Sequence, residues 1–147
     1  MNTGCKKWMA IILRFGFGIL FLYSSYHKIL HPWEFSFDVE NYRIVGEGLS
    51  RLIAVWIPYL ELIVALLLIS GIWLKEAILM NYLLMQLFFI LVIQAYIRGL
   101  DINCGCFHTG GEGTIGPVKI IENLIFLGLS VVLLLLHENF LSTRKIK

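Results

Sequence analysis

Two cysteines separated by one glycine are the residues of this 147-residue chain whose type and spacing most directly indicate chemistry: Cys104-Gly105-Cys106, followed by Phe107 and His108. Their sulfurs can bridge only if the backbone between them turns sharply, and glycine has the conformational freedom for that turn. A disulfide that closes so small a ring constrains the unfolded chain little and is comparatively strained. Strained, exposed disulfides have the higher reduction potentials and tend to be labile. The motif therefore favours a redox-active dithiol.

Other interpretations of the two cysteines stay open. They could form a structural or incidental disulfide, or remain inert thiols. Metal binding is disfavoured and no metal site is predicted, because Cys104, Cys106 and His108 supply three close ligands where structural zinc takes four. His108 when protonated, or Arg98, could instead favour the thiolate form of one sulfur. Cys5, near the start of the chain, is assigned no role.

The elements that must position this motif are membrane helices. Hydrophobic residues make up 59% of the chain and charged residues 15%, whereas soluble domains are about half apolar and about a quarter charged. Four apolar runs, at about 8–26, 52–74, 77–97 and 118–136, are long enough to cross a hydrocarbon core of about 30 Å. Continuous apolar runs in lipid form helices, because their backbone groups must be satisfied within the segment. The predicted fold class is all-α, a polytopic membrane protein with a four-transmembrane-helix bundle in a single membrane domain over residues 1–147.

Composition also excludes several classes of function. The net charge of +2 comes from scattered lysines and arginines rather than from a basic face, which argues against a nucleic-acid partner. The composition instead predicts the lipid bilayer as a partner. The residues left between the spans are too few for a soluble catalytic domain.

The loop between the first two spans, residues 27–51, interleaves aromatic with acidic residues after Pro32. Such a segment is predicted to form a short interfacial helix that closes the bundle like a lid. An ordinary aromatic anchor at the membrane surface explains the same residues equally well, so no catalytic role is assigned to this loop.

Orientation follows from the distribution of lysine and arginine. Four spans place both chain ends and the turn near residue 75 on one side, which holds seven of these residues against five on the other. The positive-inside rule therefore favours cytoplasmic termini. The cysteine loop, residues 98–117, would then be extracytoplasmic, where disulfides form and persist.

The order of several motifs resembles the MauE/DoxX family of redox-associated membrane proteins, nearest its MauE branch, from about Arg14 to Leu136. The motifs are Arg14-Phe-Gly16-Phe-Gly18-Ile-Leu-Phe21, Lys28, Pro32 with Phe35, Pro58-Tyr-Leu-Glu61, and Cys104-Gly-Cys106-Phe. The resemblance implies a four-helix membrane protein. The resemblance to the MauE branch also implies an accessory factor of methylamine utilisation. Such a factor helps methylamine dehydrogenase to mature by supporting disulfide formation, and it acts alongside a thioredoxin-like partner.

Carried over to this chain, the family pattern marks Cys104 and Cys106 as the redox pair. It marks Arg14, Lys28 and Glu61 as polar positions in and beside the helices. Family members often have small residues after Cys-Phe, whereas this chain continues with His108 and a glycine-rich stretch.

Two carboxylates inside the predicted spans, Glu61 and Glu122, stand out independently of the resemblance. Ionisable groups in spans are costly and usually face the bundle interior. At 1.5 Å per residue, Glu61 lies about 13 Å deep if its helix starts at Leu52 and about 5 Å deep if the helix effectively starts at Pro58. Either carboxylate could relay protons released when a dithiol is oxidised, or could pair with one of three cations. These are Lys28, Lys119 and Arg14.

The leading hypothesis is a thiol-disulfide oxidoreductase of the bacterial inner membrane, or its membrane component, which exchanges disulfides with an extracytoplasmic thioredoxin-like protein. A quinone packed among the aromatic residues of the first three spans would serve as electron acceptor, by analogy with other four-helix membrane oxidases, although no residue demands one. The alternative is a non-enzymatic assembly factor whose cysteine bridge only shapes the outer loop. A small-molecule carrier is disfavoured, because the sequence shows no internal repeat.

Overall fold

The protein is described here by a computed structural model that covers residues 3–44, 46–100 and 116–145. These residues form five helices: α1 (Thr3–Leu30), α2 (Pro32–Asn41), α3 (Glu47–Ser70), α4 (Leu74–Ile97) and α5 (Pro117–Lys145). All except α2 are long and apolar enough to cross a membrane. The all-α fold with four membrane-spanning helices, predicted from the apolar runs, is confirmed.

Three helix pairings are the most extensive, and smaller contacts of α1 with α5 and of α3 with α4 join them into one bundle. α1 packs along α3, α4 packs along α5, and α2 packs against α3. α1 and α3 run in opposite directions, since Gly18 of α1 approaches Ile69 late in α3, whereas Lys28 near the end of α1 contacts Glu61 earlier in α3. We call the end of the bundle at which α1 finishes and α2 lies the α2 end.

The turn between α3 and α4 differs from the sequence prediction. The second span was predicted to run to Leu74, but α3 ends at Ser70, and Gly71 takes the left-handed conformation with φ of 75°. Its N–H donates to the carbonyl of Leu67 over 2.9 Å, a helix-ending arrangement to which glycine is suited. α4 begins at Leu74, earlier than the predicted residue 77. The residues of the turn are themselves apolar, so the hydropathy pattern gives no sign of the turn. Hydropathy registers apolar character and therefore misses a turn made of apolar residues.

The other helices extend beyond the predicted spans. α1 covers residues 3–30 rather than 8–26, and α5 continues to Lys145 rather than to residue 136. The apolar run marks the part of a helix that lies in hydrocarbon, while the helix itself can continue through polar residues. α3 begins at Glu47, so Pro58 lies inside this helix. Glu61 is consequently about 21 Å along α3 from its first residue, at 1.5 Å per residue, and the helix starts at neither of the two predicted residues, Leu52 and Pro58.

α2 is the short helix predicted in the first loop. Pro32 occupies its first turn, where a missing N–H costs no hydrogen bond. Phe35 and Asp38, three residues apart on one face, are buried, whereas Trp33 and Phe37 are exposed. The exposed aromatic side chains suit the membrane interface, and the buried face closes the bundle.

Gly18 marks the close approach of α1 to α3, and it yields a stability prediction. A Cβ atom at Gly18 would lie 2.7 Å from Cγ1 of Ile69, whereas one at Gly16 would meet no atom within 4 Å. Small residues let membrane helices approach closely. We expect Gly18→Leu to cost about 1–3 kcal/mol by overpacking and Gly16→Leu to cost much less. Thermal unfolding of both variants in one detergent tests this, and equal losses would contradict the close contact.

Candidate functional site

A buried ion pair joins α1 to α3. Nζ of Lys28 donates a hydrogen bond of 2.5 Å to Oε1 of Glu61, and the two side chains are 1% and 0% exposed. Ser24, one helical turn before Lys28, donates from Oγ to the other carboxylate oxygen, Oε2, over 3.1 Å. Both oxygens of Glu61 are therefore hydrogen bonded. Glu61 lies in the interior of the bundle, as expected from the sequence.

Aromatic rings from two further helices enclose the ammonium group of this pair. Nζ of Lys28 lies 4.9 Å from the ring centre of Phe35 on α2 and 5.0 Å from that of Phe88 on α4. A cation in this position is attracted by the negative face of each ring. Helices α1 to α4 thus all contribute to the site, and α2 closes it.

A second carboxyl, Asp38, is buried on the same face of α2 as Phe35. Asp38 is 8% exposed, and its Oδ2 atom has no hydrogen-bond partner among the residues that the structure describes. Burial, assisted by the neighbouring charge of Glu34, raises the pKa of Asp38 to about 6, although Lys28 opposes this shift. Burial also raises the pKa of Tyr42 above its usual value, so this phenol stays neutral. Sequence reasoning did not single out Asp38.

Arg98 connects the end of α4 to the end of α2. Its Nη1 atom donates to the carbonyl of Tyr42 at 3.5 Å and to that of Arg43 at 3.3 Å. Arg43 has a positive φ of 51°, which is uncommon for a residue with a side chain. Arg98 comes three residues before the segment 101–115 that contains both cysteines of the motif. The described residues that precede this segment, up to Leu100, therefore end at the α2 end of the bundle.

The predicted site residues fall into separate groups. Cys104, Cys106 and His108 lie outside the described residues, so the dithiol and the part of His108 stay predictions. Lys28 and Glu61 are brought together, which selects one of the pairings that the sequence left open.

Arg14 is not part of this cluster. It precedes Lys28 by about 21 Å along α1. Its guanidinium group lies instead against Gly71, where a Cβ atom would be 3.1 Å from Nη1. A cation beside the end of α3 is favoured by the helix dipole.

Glu122 pairs within its own helix. Oε2 of Glu122 accepts a hydrogen bond of 2.9 Å from Nζ of Lys119, one turn earlier in α5, and the side chains are 39% and 35% exposed. Partly exposed pairs of this kind contribute little to stability. Of the two carboxylates predicted in the spans, only Glu61 is enclosed.

Comparison with known proteins places this arrangement in a family. The sequence model of the family described as "Methylamine utilisation protein MauE" matches residues 6–136, which include the ion pair and both cysteines of the motif. The chain belongs to the MauE family. The family resemblance stated from the sequence motifs is thereby confirmed.

Two curated MauE proteins are similar to this member of the family. "Methylamine utilization protein MauE" of Paracoccus denitrificans is 27% identical over 122 residues, which cover 82% of this chain and 66% of that protein. Its namesake from Methylorubrum extorquens is 38% identical over 93 residues, which cover 63% of this chain and 50% of the relative. The matched regions thus span between half and about two thirds of the curated relatives. No solved structure matches the chain.

Proposed function

We propose that this MauE-family protein is a membrane-embedded thiol-disulfide redox protein whose Cys104-Gly105-Cys106 pair exchanges disulfides with an extracytoplasmic thioredoxin-like partner. The observation that carries the proposal is the spacing of these two cysteines in the segment that joins α4 to α5. A ring closed across one glycine suits a bond that is made and broken repeatedly better than a structural one.

The exchange conserves atoms and electrons in two steps. A thiolate of the partner attacks one sulfur of the oxidised pair, which forms a mixed disulfide and releases the other sulfur as a thiolate. The second thiol of the partner then resolves the mixed disulfide, leaving the partner oxidised and Cys104 and Cys106 reduced. The pair has gained two electrons and two protons.

Resetting the pair requires an acceptor for these two electrons and two protons, and we propose a lipid-soluble quinone as its chemical class. At the ion pair, the donors Lys28 and Ser24 are both engaged by Glu61. We therefore assign no quinone contact there.

The residues described at the α2 end of the bundle support this proposal. Arg98, three residues before the cysteine segment in sequence, donates to backbone carbonyls after α2, and the buried Lys28–Glu61 pair lies at this end under Phe35. Thiol oxidation and reduction move protons as well as electrons. The ammonium group of Lys28 and the carboxylate of Glu61 are hydrogen bonded. Such a pair can exchange protons with its surroundings, or it can hold the site rigid.

The names of the relatives and the distribution of lysine and arginine in the sequence support a proposed biological setting. We propose a multi-pass protein of the bacterial inner membrane, with cytoplasmic termini and an extracytoplasmic cysteine loop. In that position it would support disulfide formation in, or maturation of, a partner protein such as methylamine dehydrogenase. The alternative function is that of a non-enzymatic assembly factor with a structural cysteine bridge. Experiments on the cysteine pair must exclude it.

Labelling of cysteines in intact spheroplasts tests both the side and the lability of the pair. Before reduction, a membrane-impermeant maleimide should label neither Cys104 nor Cys106. After brief native treatment with dithiothreitol it should label both. Cys5, which is exposed near the start of α1, should react only after the membrane is permeabilised, and this provides the internal control. Labelling of Cys5 alone in intact spheroplasts would contradict the proposed orientation, and a pair that resists dithiothreitol would contradict a labile bond.

A further inference from the structure

α2 is held to the bundle through two buried residues of different character. Phe35 places its ring on the ammonium group of Lys28, which is a favourable contact. Asp38 is buried on the same face with one carboxyl oxygen lacking a hydrogen-bond donor among the described residues. A carboxyl group in this position is tolerated when neutral and is costly when ionised. The contact that closes the site therefore contains a group that opposes closure once it loses its proton.

We propose that Asp38 is a proton-binding site that controls α2: protonated Asp38 leaves α2 packed over the Lys28–Glu61 pair, and ionised Asp38 releases α2 and exposes the pair to water. This inference is independent of the proposed thiol-disulfide exchange, since it involves neither Cys104 nor Cys106. It assigns to α2 the role of a gate rather than that of a fixed anchor.

The cation that could neutralise Asp38 is already engaged. Lys28, from α1, lowers the pKa of Asp38, but its ammonium group donates to Glu61 of α3. Phe35 and Phe88 lie close to the same ammonium group. Lys28 therefore reduces the cost of an ionised Asp38 without removing it.

Three further charged groups lie around α2, on α2 itself, on α3 and at the end of α4. Glu34, on α2 itself, is an additional negative charge that raises the pKa of Asp38. Arg51 of α3 lies over the ring of exposed Trp33, 5.6 Å from its centre. Arg98 of α4 donates to backbone carbonyls beyond the end of α2.

Two further titratable groups lie beside α2. The Tyr42 phenol, whose pKa is raised by burial and by the charge of Asp38, stays neutral in this pH range, and the other group is His31. Its Nδ1 atom lies 3.7 Å from Oε1 of Glu34 on the exposed side of α2. Histidine changes charge in the same pH range as the proposed switch. A test of Asp38 must therefore distinguish it from His31.

The direction of the pH effect follows from proton linkage. The pKa of Asp38 is about 6 with α2 packed, against 3.8 for an ordinary aspartate, so the packed state binds the proton more tightly. The contribution to packing is fully present below pH 3.8 and is lost as the pH rises through about 6. Between about pH 5 and pH 8, these two values give a rise of about tenfold in the equilibrium for opening.

Hydrogen exchange of the α2 amides in lipid nanodiscs measures this opening directly. Protection factors, corrected for the intrinsic pH dependence of exchange, should fall about tenfold for α2 between about pH 5 and pH 8, while those of α4 stay constant. Asp38→Asn should abolish the fall. Glu34→Gln, the matched control on the same helix, should keep the fall but move it to lower pH, because the additional negative charge is gone. His31→Gln should keep the fall.

Two results would overturn the inference. One is hydrogen-exchange protection of the α2 amides that does not change with pH in the wild-type protein. This measurement needs no variant, so it tests the inference even if Asp38→Asn fails to fold. The other is a fall that persists in Asp38→Asn and disappears in His31→Gln, which would assign the switch to the histidine. Loss of disulfide exchange with this pH dependence intact would count against the proposed function alone.

Discussion

Replacing Lys28 with methionine is expected to destabilise the bundle by about 3–5 kcal/mol, because it leaves the carboxylate of Glu61 enclosed without its cation. The fully buried pair is hydrogen bonded on both sides of the carboxylate, by Lys28 and by Ser24. Methionine keeps much of the volume of lysine and its packing, so the loss should report the missing charge. The measurement is thermal unfolding of the purified protein in one detergent.

Lys119→Met is the matched control for this experiment. It breaks the Lys119–Glu122 pair, whose side chains are 35% and 39% exposed, and pairs of that kind are worth about 0–1 kcal/mol. A double variant, Lys28→Met with Glu61→Met, replaces both buried charges by apolar side chains and should recover most of the loss. If Lys28→Met costs no more than Lys119→Met, the pair is not a closed buried contact.

The spans and the interior position of Glu61 could be predicted because both follow from the apolar core of the lipid bilayer, which requires long apolar helices and excludes an unpaired charge. A carboxylate in an apolar run must find a partner or water, whichever helix it is on. The identity of that partner could not be predicted, since it depends on the stagger and rotation of α1 against α3. In the observed stagger Gly18 lies close to Ile69, and Lys28 rather than Arg14 reaches Glu61.

Asp38 and the end of α3 were missed for different physical reasons. In the sequence, Asp38 is one of several acidic residues interleaved with aromatic ones, and only the packing of α2 distinguishes it from exposed Glu34. The end of α3 did leave a signal, because a glycine after a long apolar run is typical of a helix that ends in the left-handed conformation. Gly71 is that residue, and the apolar residues after it concealed the turn.

The second large effect is expected at the cysteine pair. Replacing Cys104 and Cys106 together by serine should abolish maturation of the partner protein in cells, because neither exchange step can proceed without the two sulfurs. Cys5→Ser should leave maturation unchanged, since Cys5 lies exposed near the start of α1. The readout is the fraction of the partner that carries its native disulfides.

Trapping of the mixed disulfide tests the dithiol mechanism most directly. Cys104→Ser and Cys106→Ser, each made with Cys5→Ser, are compared on non-reducing gels after growth with the partner present. One single variant, the one that keeps the cysteine whose sulfur joins the partner in the mixed disulfide, is predicted to accumulate a reducible adduct with a soluble thioredoxin-like protein, and this also assigns the two roles. The contrary result is that neither single variant forms an adduct while the double variant still matures the partner in cells. That result would exclude the oxidoreductase and leave the assembly factor.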